Sequence, residues 1–378
     1  MPSESKESRG MRDSSGTCEC VSRRRFLSAL GAASAGLLLP AGRNWDAGRI
    51  PGARAGIPRK GTAVSIVRVP DYDGSQIRKK VEESLDLIGG IRDVIRSGST
   101  VAVKPNLTGG VETSARFQVP AIRSYWTHPE VVRAVCECCR DAGAKKIFIV
   151  EGVYSFADYT RSGYDEVAKR VGAELIDANS PEPYKEFVEK PVGPNALVHH
   201  SLKFNPVLAE AEALVSVAKM KCHSVAGVTH GMKNLVGLLP MALHRRNSGD
   251  IYRSAIHVEE KTRLPGIILD VNAACPVSLT VIDGIETTEA GEGPWAHAMA
   301  PVKPGLLFAG KDPVATDAAA TAVMGFDPMA EDFTQPFVRI ENYLKKAAAL
   351  GMGTAVLSDI QIRGTSLQDA RFPFKACQ

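Results

Sequence analysis

Residues 219–234 gather side chains that can bind an anion or transfer a proton. The stretch contains three lysines, two histidines and an asparagine, namely Lys219, Lys221, His223, His230, Lys233 and Asn234. Lysine ammonium groups bind carboxylates and phosphates, and histidine exchanges its proton near neutral pH. We therefore expect a site for a small anionic molecule, in which His223 or His230 moves a proton. The alternative is a solvated basic loop, because lysine side chains usually stay exposed.

A helix is predicted to begin inside the same stretch, over residues 230–239, with Thr229 as its cap. His230, Lys233 and Asn234 then fall at i, i+3 and i+4, so they share one face near the first turn. A helix N-terminus attracts anions, because its first backbone N–H groups have no partner within the helix. The helix start and the neighbouring lysines therefore predict an anion pocket.

The elements that would position these residues alternate between strand and helix. Short apolar runs predict strands at 62–69, 99–106, 146–152, 173–178, 213–219, 278–283, 305–310 and 360–364. Helical spacing and helix-end signals predict helices at 75–96, 127–142, 163–171, 206–211, 313–324 and 336–350. The Thr127-His128-Pro129-Glu130 segment has the form of a capping box, with Thr127 as the cap. This order predicts an α/β fold, a mostly parallel open sheet with helices on both faces, built from β-α-β units.

Ligand sites of open α/β sheets lie beyond the carboxyl ends of the strands. The ionisable or amide side chains at or just beyond the carboxyl ends of the predicted strands are Lys104, Asn106, Glu151, Lys219, Lys221, His223, Asp283, Lys311 and Asp312. Asp312 is expected to cap the next helix, and Asp317, one turn further on, needs a partner if it is buried. Gly291 and Gly293 lie in a flexible loop that can supply backbone around a ligand. This loop has neither a P-loop nor a dinucleotide fingerprint.

Metal binding is a second option for the same side chains. Glu151 and Asp283 could join His223 and His230 in a mixed site that suits zinc, iron or nickel, although no H-x-x-x-H pair supports it. The cofactor is therefore unknown, and a divalent transition metal is one option. Six cysteines follow the leader, without zinc or ferredoxin spacing, which makes an iron–sulfur cluster unlikely. Cys136 and Cys139 share a helix face and are expected to be small core residues.

The charge of the chain is concentrated at its start. Of 46 Lys and Arg residues, nine lie in 1–55, as do five of the 42 Asp and Glu, so residues 56–378 carry 37 of each. A neutral body argues against a nucleic-acid partner, which would require a basic face. With 44% hydrophobic and 23% charged residues, the composition is that of a globular protein.

The N-terminus has the layout of an export signal. Ser22-Arg23-Arg24-Arg25-Phe26-Leu27 precedes an apolar run at 29–40 that is too short to span a membrane, and the arginine pair resembles a twin-arginine signal. Cleavage near 53–55 is expected. No cysteine directly follows the run, so we expect no membrane anchor. The expected location is periplasmic or extracellular, with the twin-arginine translocase as a partner during export.

Three segments follow from these patterns. Residues 1–55 are expected to form the leader and a flexible linker, and 366–378 a tail. Residues 62–365 are expected to form the folded part, either as one domain or as two lobes at about 62–200 and 201–365.

Several motifs in a fixed order resemble the domain-of-unknown-function 362 family. They are AVKPNL, THPE, KMKCHSVAGVTHGMKNLVGLLP, VIDGIE with GEGP, and KDPVATD, and the similarity covers about residues 62–365. The resemblance implies one α/β family domain and no settled reaction. Many members carry a ferredoxin module with spaced cysteines, which this chain lacks. Trp295-Ala296-His297 follows GEGP where a glycine is usual, which implies a differently lined pocket.

The leading hypothesis is an exported enzyme that acts on a small anionic molecule. Lys104, Lys219, Lys221 and Lys233 would orient the anion, His223 or His230 would transfer a proton, and Glu151 and Asp283 would bind a metal or act as acid and base. One alternative is a non-catalytic periplasmic protein that binds a ligand or cofactor at the same pocket. The other is an iron–sulfur redox partner.

Overall fold

A computed structural model describes residues 62–110, 119–257 and 260–377, all within one compact unit, Ile50–Gln378. The strands are β1 (Thr62–Arg68), β2 (Thr100–Lys104), β3 (Lys146–Glu151), β4 (Glu174–Asp177), β5 (Val188–Pro191), β6 (Ser201–Phe204), β7 (Ala213–His223), β8 (Gly227–Thr229), β9 (Leu279–Glu289), β10 (Ala300–Val302), β11 (Leu306–Gly310) and β12 (Ile360–Gly364). The helices are α1 (Gly74–Leu87), α2 (Pro129–Ala142), α3 (Ala157–Arg161), α4 (Tyr164–Val171), α5 (Val207–Glu210), α6 (Gly231–Asn234), α7 (Glu260–Ala274), α8 (Pro313–Val323), α9 (Tyr343–Ala349) and α10 (Leu367–Ala370). The predicted leader lies outside the described residues.

The central sheet has the strand order β12-β1-β11-β9-β7-β2-β3-β4, with β8 and β10 paired to the ends of β7 and β9. The neighbours from β9 to β4 are all parallel, as are β12 and β1. Strands β5 and β6 form a separate antiparallel hairpin. The predicted mostly parallel α/β sheet is confirmed. Because β7 lies between β2 and β9, the residues on either side of position 200 share one sheet, and the proposed domain boundaries stay a prediction.

The sheet separates two apolar layers, since successive side chains of a strand point to opposite faces. In β2, Val101 and Val103 belong to the apolar layer that includes residues of α1, α2 and α4, whereas Ala102 belongs to the opposite layer, which includes residues of α7, α8 and α9. Strands β2, β3, β7 and β9 are buried on both faces, which explains why their sequences are largely continuous apolar runs, whereas the edge strand β4 is partly exposed. The parallel block is thus held rigid from both sides, and its carboxyl ends present side chains at one edge.

Strand β11 runs antiparallel to both β1 and β9. Its carboxyl end therefore lies at the edge opposite to the ends of β2, β3, β7 and β9. Lys311 pairs there with Asp93 (2.7 Å), and Asp312 caps α8 by accepting a hydrogen bond from the Ala315 N–H. The expected capping role of Asp312 is confirmed, and the expectation that this strand end joins the others is wrong.

Helix α1 is shorter than predicted. It ends at Leu87, and the chain turns through Gly89 and Gly90, whose φ angles of 83° and 73° are left-handed and interrupt the helix. The predicted cap of α2 is wrong. His128 rather than Thr127 caps this helix, and its Nδ1 accepts a hydrogen bond from the Glu130 N–H. Helix α7 was not predicted, because Pro265 and Gly266 interrupt its pattern.

No helix within 62–110, 119–257 and 260–377 has both the length and the apolar character that a membrane crossing requires.

Candidate anion-binding site

Lys104 and Glu151 form a buried ion pair where β2 and β3 end side by side. The Lys104 Nζ lies 2.7 Å from Glu151 Oε2, and the lysine is 0% exposed. Lys104 also donates to the Pro105 carbonyl and to Asn234 Oδ1, while Glu151 accepts from the Leu107 N–H. Burial lowers the pKa of Lys104, and the nearby Glu151 carboxylate opposes this shift. Three hydrogen-bond acceptors thus hold the Lys104 ammonium in place, where it serves as a fixed positive charge.

A chain of amides connects this pair to a second buried lysine, Lys221 on β7. The Asn106 amide donates to Asn234 Oδ1 at 3.4 Å, and Asn106 Oδ1 accepts from the Lys221 Nζ at 2.9 Å. Lys221 also donates to the carbonyls of Tyr125 (2.8 Å) and Glu292 (3.2 Å). Burial lowers the pKa of Lys221 to about 7. Three oxygen acceptors match the three N–H groups of an ammonium, so the geometry favours the charged form.

Lys233, on α6, differs from the other lysines of the site. Among the described residues, its ammonium has no hydrogen bond or ion pair, and its side chain is only half-buried. Burial lowers the pKa of Lys233 to about 8; Glu292 opposes the shift, and Arg253 and Lys104 reinforce it. A desolvated cation without a partner, beside other cations, attracts an anion from solution. Lys233 is therefore the group best placed to meet one.

His223 ends β7 beside these cations, and its side chain is also half-buried. Its Nδ1 accepts from the Val225 and Ala226 N–H groups at 3.1 and 3.2 Å, which assigns the proton of the neutral ring to Nε2. Burial lowers the pKa of His223 to about 3, so the ring is neutral at physiological pH. The arrangement suits His223 as a hydrogen-bond donor to an anion, since its basic nitrogen is already occupied.

Glu292 supplies the carboxylate of the site from the loop between β9 and β10. It accepts from the Ser224 N–H (2.8 Å), the Ser224 hydroxyl (2.9 Å) and the Trp295 indole N–H (2.6 Å). Burial acts to raise the pKa of Glu292, whereas the hydrogen bonds from Ser224 and Trp295 lower it, and the net shift is downward. Because His223 is itself neutral, the donors of Ser224 and Trp295 are the groups that keep Glu292 ionised.

The two glycines predicted to lie near a ligand, Gly291 and Gly293, allow this loop to fold. A Cβ at Gly293 would lie 2.2 Å from the ring of Trp295, and one at Gly291 would lie 2.5 Å from the Cβ of Ala296. Because neither residue has a side chain, the loop leaves room for Ala296 beside Gly291 and for the Trp295 ring beside Gly293. Glu292 lies between them in the GEGP motif, and the sequence pattern did not predict it as a site residue.

Arg253 is a further cation that the sequence did not point to. It is 9% exposed and donates to the carbonyls of Gly237 and Leu239 and to Asn179 Oδ1. A Cβ at Gly152 would lie 2.0 Å from its guanidinium, so glycine is required there. No carboxylate within the described ranges lies at salt-bridge distance from Arg253, Lys221 or Lys233. The sequence signal that could have pointed to Arg253 is Gly152, directly after Glu151, because a glycine there leaves room for a neighbouring side chain.

Lys219 and Asp283 do not join the site, although both were predicted to. Their charged atoms lie 2.9 Å apart, and both side chains are 0% exposed. Asp283 also accepts from the Tyr72 hydroxyl and the His128 N–H, which lie at the starts of α1 and α2. The pair is thus satisfied internally on the α1 and α2 side of the sheet. The register of β7 against β9 shifts between Lys219 and Lys221, and Lys221 contacts other partners, Asn106 and Tyr125, although the charge of Lys219 still acts on it.

The prediction that Thr229 caps a helix whose N-terminus binds an anion is wrong. Helix α6 spans only Gly231–Asn234, and its first N–H groups, of Gly231 and Met232, donate to the buried carboxylate of Asp317 at 2.8 and 2.9 Å. Thr229 pairs with Lys221 in the β7–β8 ladder instead. Asp317 therefore has the partners that its burial requires, and the helix start is not available to a ligand.

His230 is enclosed away from the half-buried side chains of the site. It is 0% exposed, and burial lowers its pKa to about 3. Neither ring nitrogen has a hydrogen-bond partner among the described residues. The predicted role in proton transfer stays a prediction, but a fully enclosed ring has no path to a ligand in this conformation.

The mixed metal site predicted from Glu151 and Asp283 is not formed, because each carboxylate is paired with a different lysine. Over 62–110, 119–257 and 260–377, no group of three or more His, Cys, Asp and Glu side chains is arranged to hold a metal ion. The described cysteines are free thiols, and Cys136, Cys138 and Cys139 are buried in α2. Burial raises the pKa values of the Cys138 and Cys139 thiols to about 12.

Comparisons with known proteins agree with the sequence motifs. The model of a family described as "Domain of unknown function (DUF362)" matches residues 101–322. A "Thylakoid-associated protein" of Synechocystis sp. is 25% identical over 271 residues, which are 70% of this chain and 75% of that protein. The lactate racemase apoprotein of Thermoanaerobacterium thermosaccharolyticum is 14% identical with a TM-score of 0.36 over 68% of this chain, and a Thermotoga maritima protein is 12% identical with a TM-score of 0.33 over 62%. The chain spans 59% and 55% of these two structures.

Proposed function

This chain belongs to the DUF362 family, and we propose that it binds a small anionic molecule, a carboxylate or phosphate compound, at the carboxyl ends of β2, β3 and β7. Lys233 makes the direct ion pair, and the Nε2–H of His223 donates a hydrogen bond. Lys104 and Arg253 add a fixed positive field, because their own atoms are held by protein acceptors. Glu292 sets the position of the loop over the site.

The unpartnered ammonium of Lys233 carries this proposal. A partly buried charge without a partner lacks part of its solvation, and a bound anion offsets that loss. Each of the four cations Lys104, Lys221, Lys233 and Arg253 acts on at least one other, and the carboxylates that act on them are Glu151, Glu292 and Asp177. The remaining positive charge favours a ligand with one or two negative charges.

We further propose that the molecule is a substrate and that Lys221 exchanges a proton with it. A buried lysine whose pKa lies near 7 matches the requirement for acid–base catalysis at neutral pH. The alternative, a non-catalytic binding protein, is favoured by one observation. Both Lys221 Nζ and His223 Nδ1 are fully engaged by protein groups.

Export of the protein is part of the same proposal and is supported by the Arg23-Arg24 signal.

The experiment begins with protein purified without chelator, followed by mass spectrometry of small molecules released on denaturation. Released acids, inorganic phosphate and a set of small carboxylates are then tested for binding and for conversion. Conversion that is lost in Lys221→Met, while binding is kept, supports the enzyme. Binding without conversion supports the alternative, and unchanged binding in Lys233→Met contradicts both.

A further inference from the structure

Two cysteine thiols that are far apart in the sequence lie together next to the candidate site. Cys222 lies on β7 between Lys221 and His223 and is 0% exposed, whereas Cys377 is partly exposed in the C-terminal tail. The Cys222 Sγ donates to the Lys375 carbonyl at 3.4 Å, two residues before Cys377, and Cys377 packs against the apolar cluster that contains Cys222. The nearby Cys377 thiol also raises the pKa of Cys222. We propose that these two residues form a disulfide when the protein is in an oxidising medium.

The tail that carries Cys377 is fixed against the body by backbone hydrogen bonds. The Phe374 N–H donates to the Met324 carbonyl, and the Lys375 carbonyl accepts from the Ala290 N–H, both at 2.9 Å. The Lys375 N–H donates to the Glu289 carboxylate at 2.8 Å. The two sulfur atoms are therefore held close by a formed structure, so bond formation does not require the tail to be brought in from solution.

The exposed thiol reacts first. Cys377, as its thiolate, attacks one sulfur of a small disulfide such as oxidised glutathione, forming a mixed disulfide and releasing one glutathione thiol. Cys222 then attacks the Cys377 sulfur, which forms the protein disulfide and releases the second glutathione thiol. The protein loses two protons and two electrons, and the oxidant gains them. The new bond closes a loop of about 150 residues and fixes the end of β7 that carries Lys221 and His223.

The test oxidises the purified full chain with a glutathione redox buffer, blocks free thiols with N-ethylmaleimide and maps tryptic peptides by mass spectrometry. Cleavage after Lys221, Lys233 and Lys375 yields a peptide 222–233 linked to 376–378. The melting temperature of the oxidised protein is expected to exceed that of the reduced protein by several degrees, and dithiothreitol reverses the shift.

Cys377→Ser removes the linked peptide and the thermal shift, and Cys138→Ser, a buried cysteine on α2, leaves both unchanged. A Cys377 that carries only a glutathione adduct while Cys222 stays a free thiol contradicts the proposal. So does a linkage of Cys222 to any other cysteine. None of these readouts involves anion binding, so the proposal stands or falls separately from the proposed function.

Discussion

The buried ion pair between Lys104 and Glu151 gives a sharp stability prediction for Glu151→Gln. Glutamine keeps the shape of the side chain but removes its charge. In the native protein the Glu151 carboxylate accepts from Lys104, from the Leu107 N–H and from the Gly152 N–H, at 2.7, 2.9 and 2.9 Å. A neutral amide has one oxygen and one NH₂ group, so at least one of these three donors would face another donor.

The expected loss follows from the burial of both partners. Removing one member of a buried pair destabilises a protein by about 3–5 kcal/mol, because the other charge stays buried without compensation. Lys104 is 0% exposed and Glu151 is 3% exposed, so solvent does not screen the remaining charge. We expect Glu151→Gln to lose about 3–5 kcal/mol and the double variant Lys104→Met, Glu151→Gln to recover a large part of that loss.

Urea unfolding followed by circular dichroism measures the change as a shift of the midpoint at constant slope. The matched control is Glu331→Gln, which breaks an exposed pair with Lys345 of similar length (2.6 Å) and is expected to leave the free energy of unfolding nearly unchanged. If Glu151→Gln costs no more than this control, the electrostatic account of the site is wrong.

Three other outcomes are expected. Anion binding weakens as pH rises through about 8, because the lowered pKa of Lys233 means that its charge is lost there, and calorimetry on either side of that pH measures the loss. Asp317→Asn destabilises the fold by about 1–3 kcal/mol in urea unfolding, since one of the two N–H groups of α6 loses its acceptor. Replacing Arg23 and Arg24 by lysine retains the protein in the cytoplasm of a twin-arginine-competent host, whereas an unchanged periplasmic fraction contradicts the export proposal.

The fold could be predicted where it depends on local patterns. Apolar runs joined by helical segments indicated the parallel block, and the side chains after β2, β3 and β7 were placed at one edge. The direction of β11 could not be predicted, since strand periodicity is the same in both directions. Lys311 and Asp312 were therefore assigned to the wrong edge.

Two features of the site depend on tertiary contacts that no local pattern reveals. Alternation along β7 gives Lys219 and Lys221 the same face, and their different partners, Asp283 for Lys219 and Asn106 for Lys221, become visible only in the folded chain. The cap of α6 comes from Asp317 on another helix, so the local candidate Thr229 was preferred. Arg253 lies in an irregular segment without periodicity, where burial becomes visible only in the folded chain.

Calorimetric titration of Lys233→Met with the anion found for the wild type is the most direct test of the binding site. The loss of one charge-assisted hydrogen bond, about 1.5–3 kcal/mol, predicts that affinity falls about 10- to 150-fold. Lys79→Met, which removes an exposed lysine on α1, is the matched control and is expected to leave affinity unchanged. An affinity that is the same in both variants would contradict the assignment of this site.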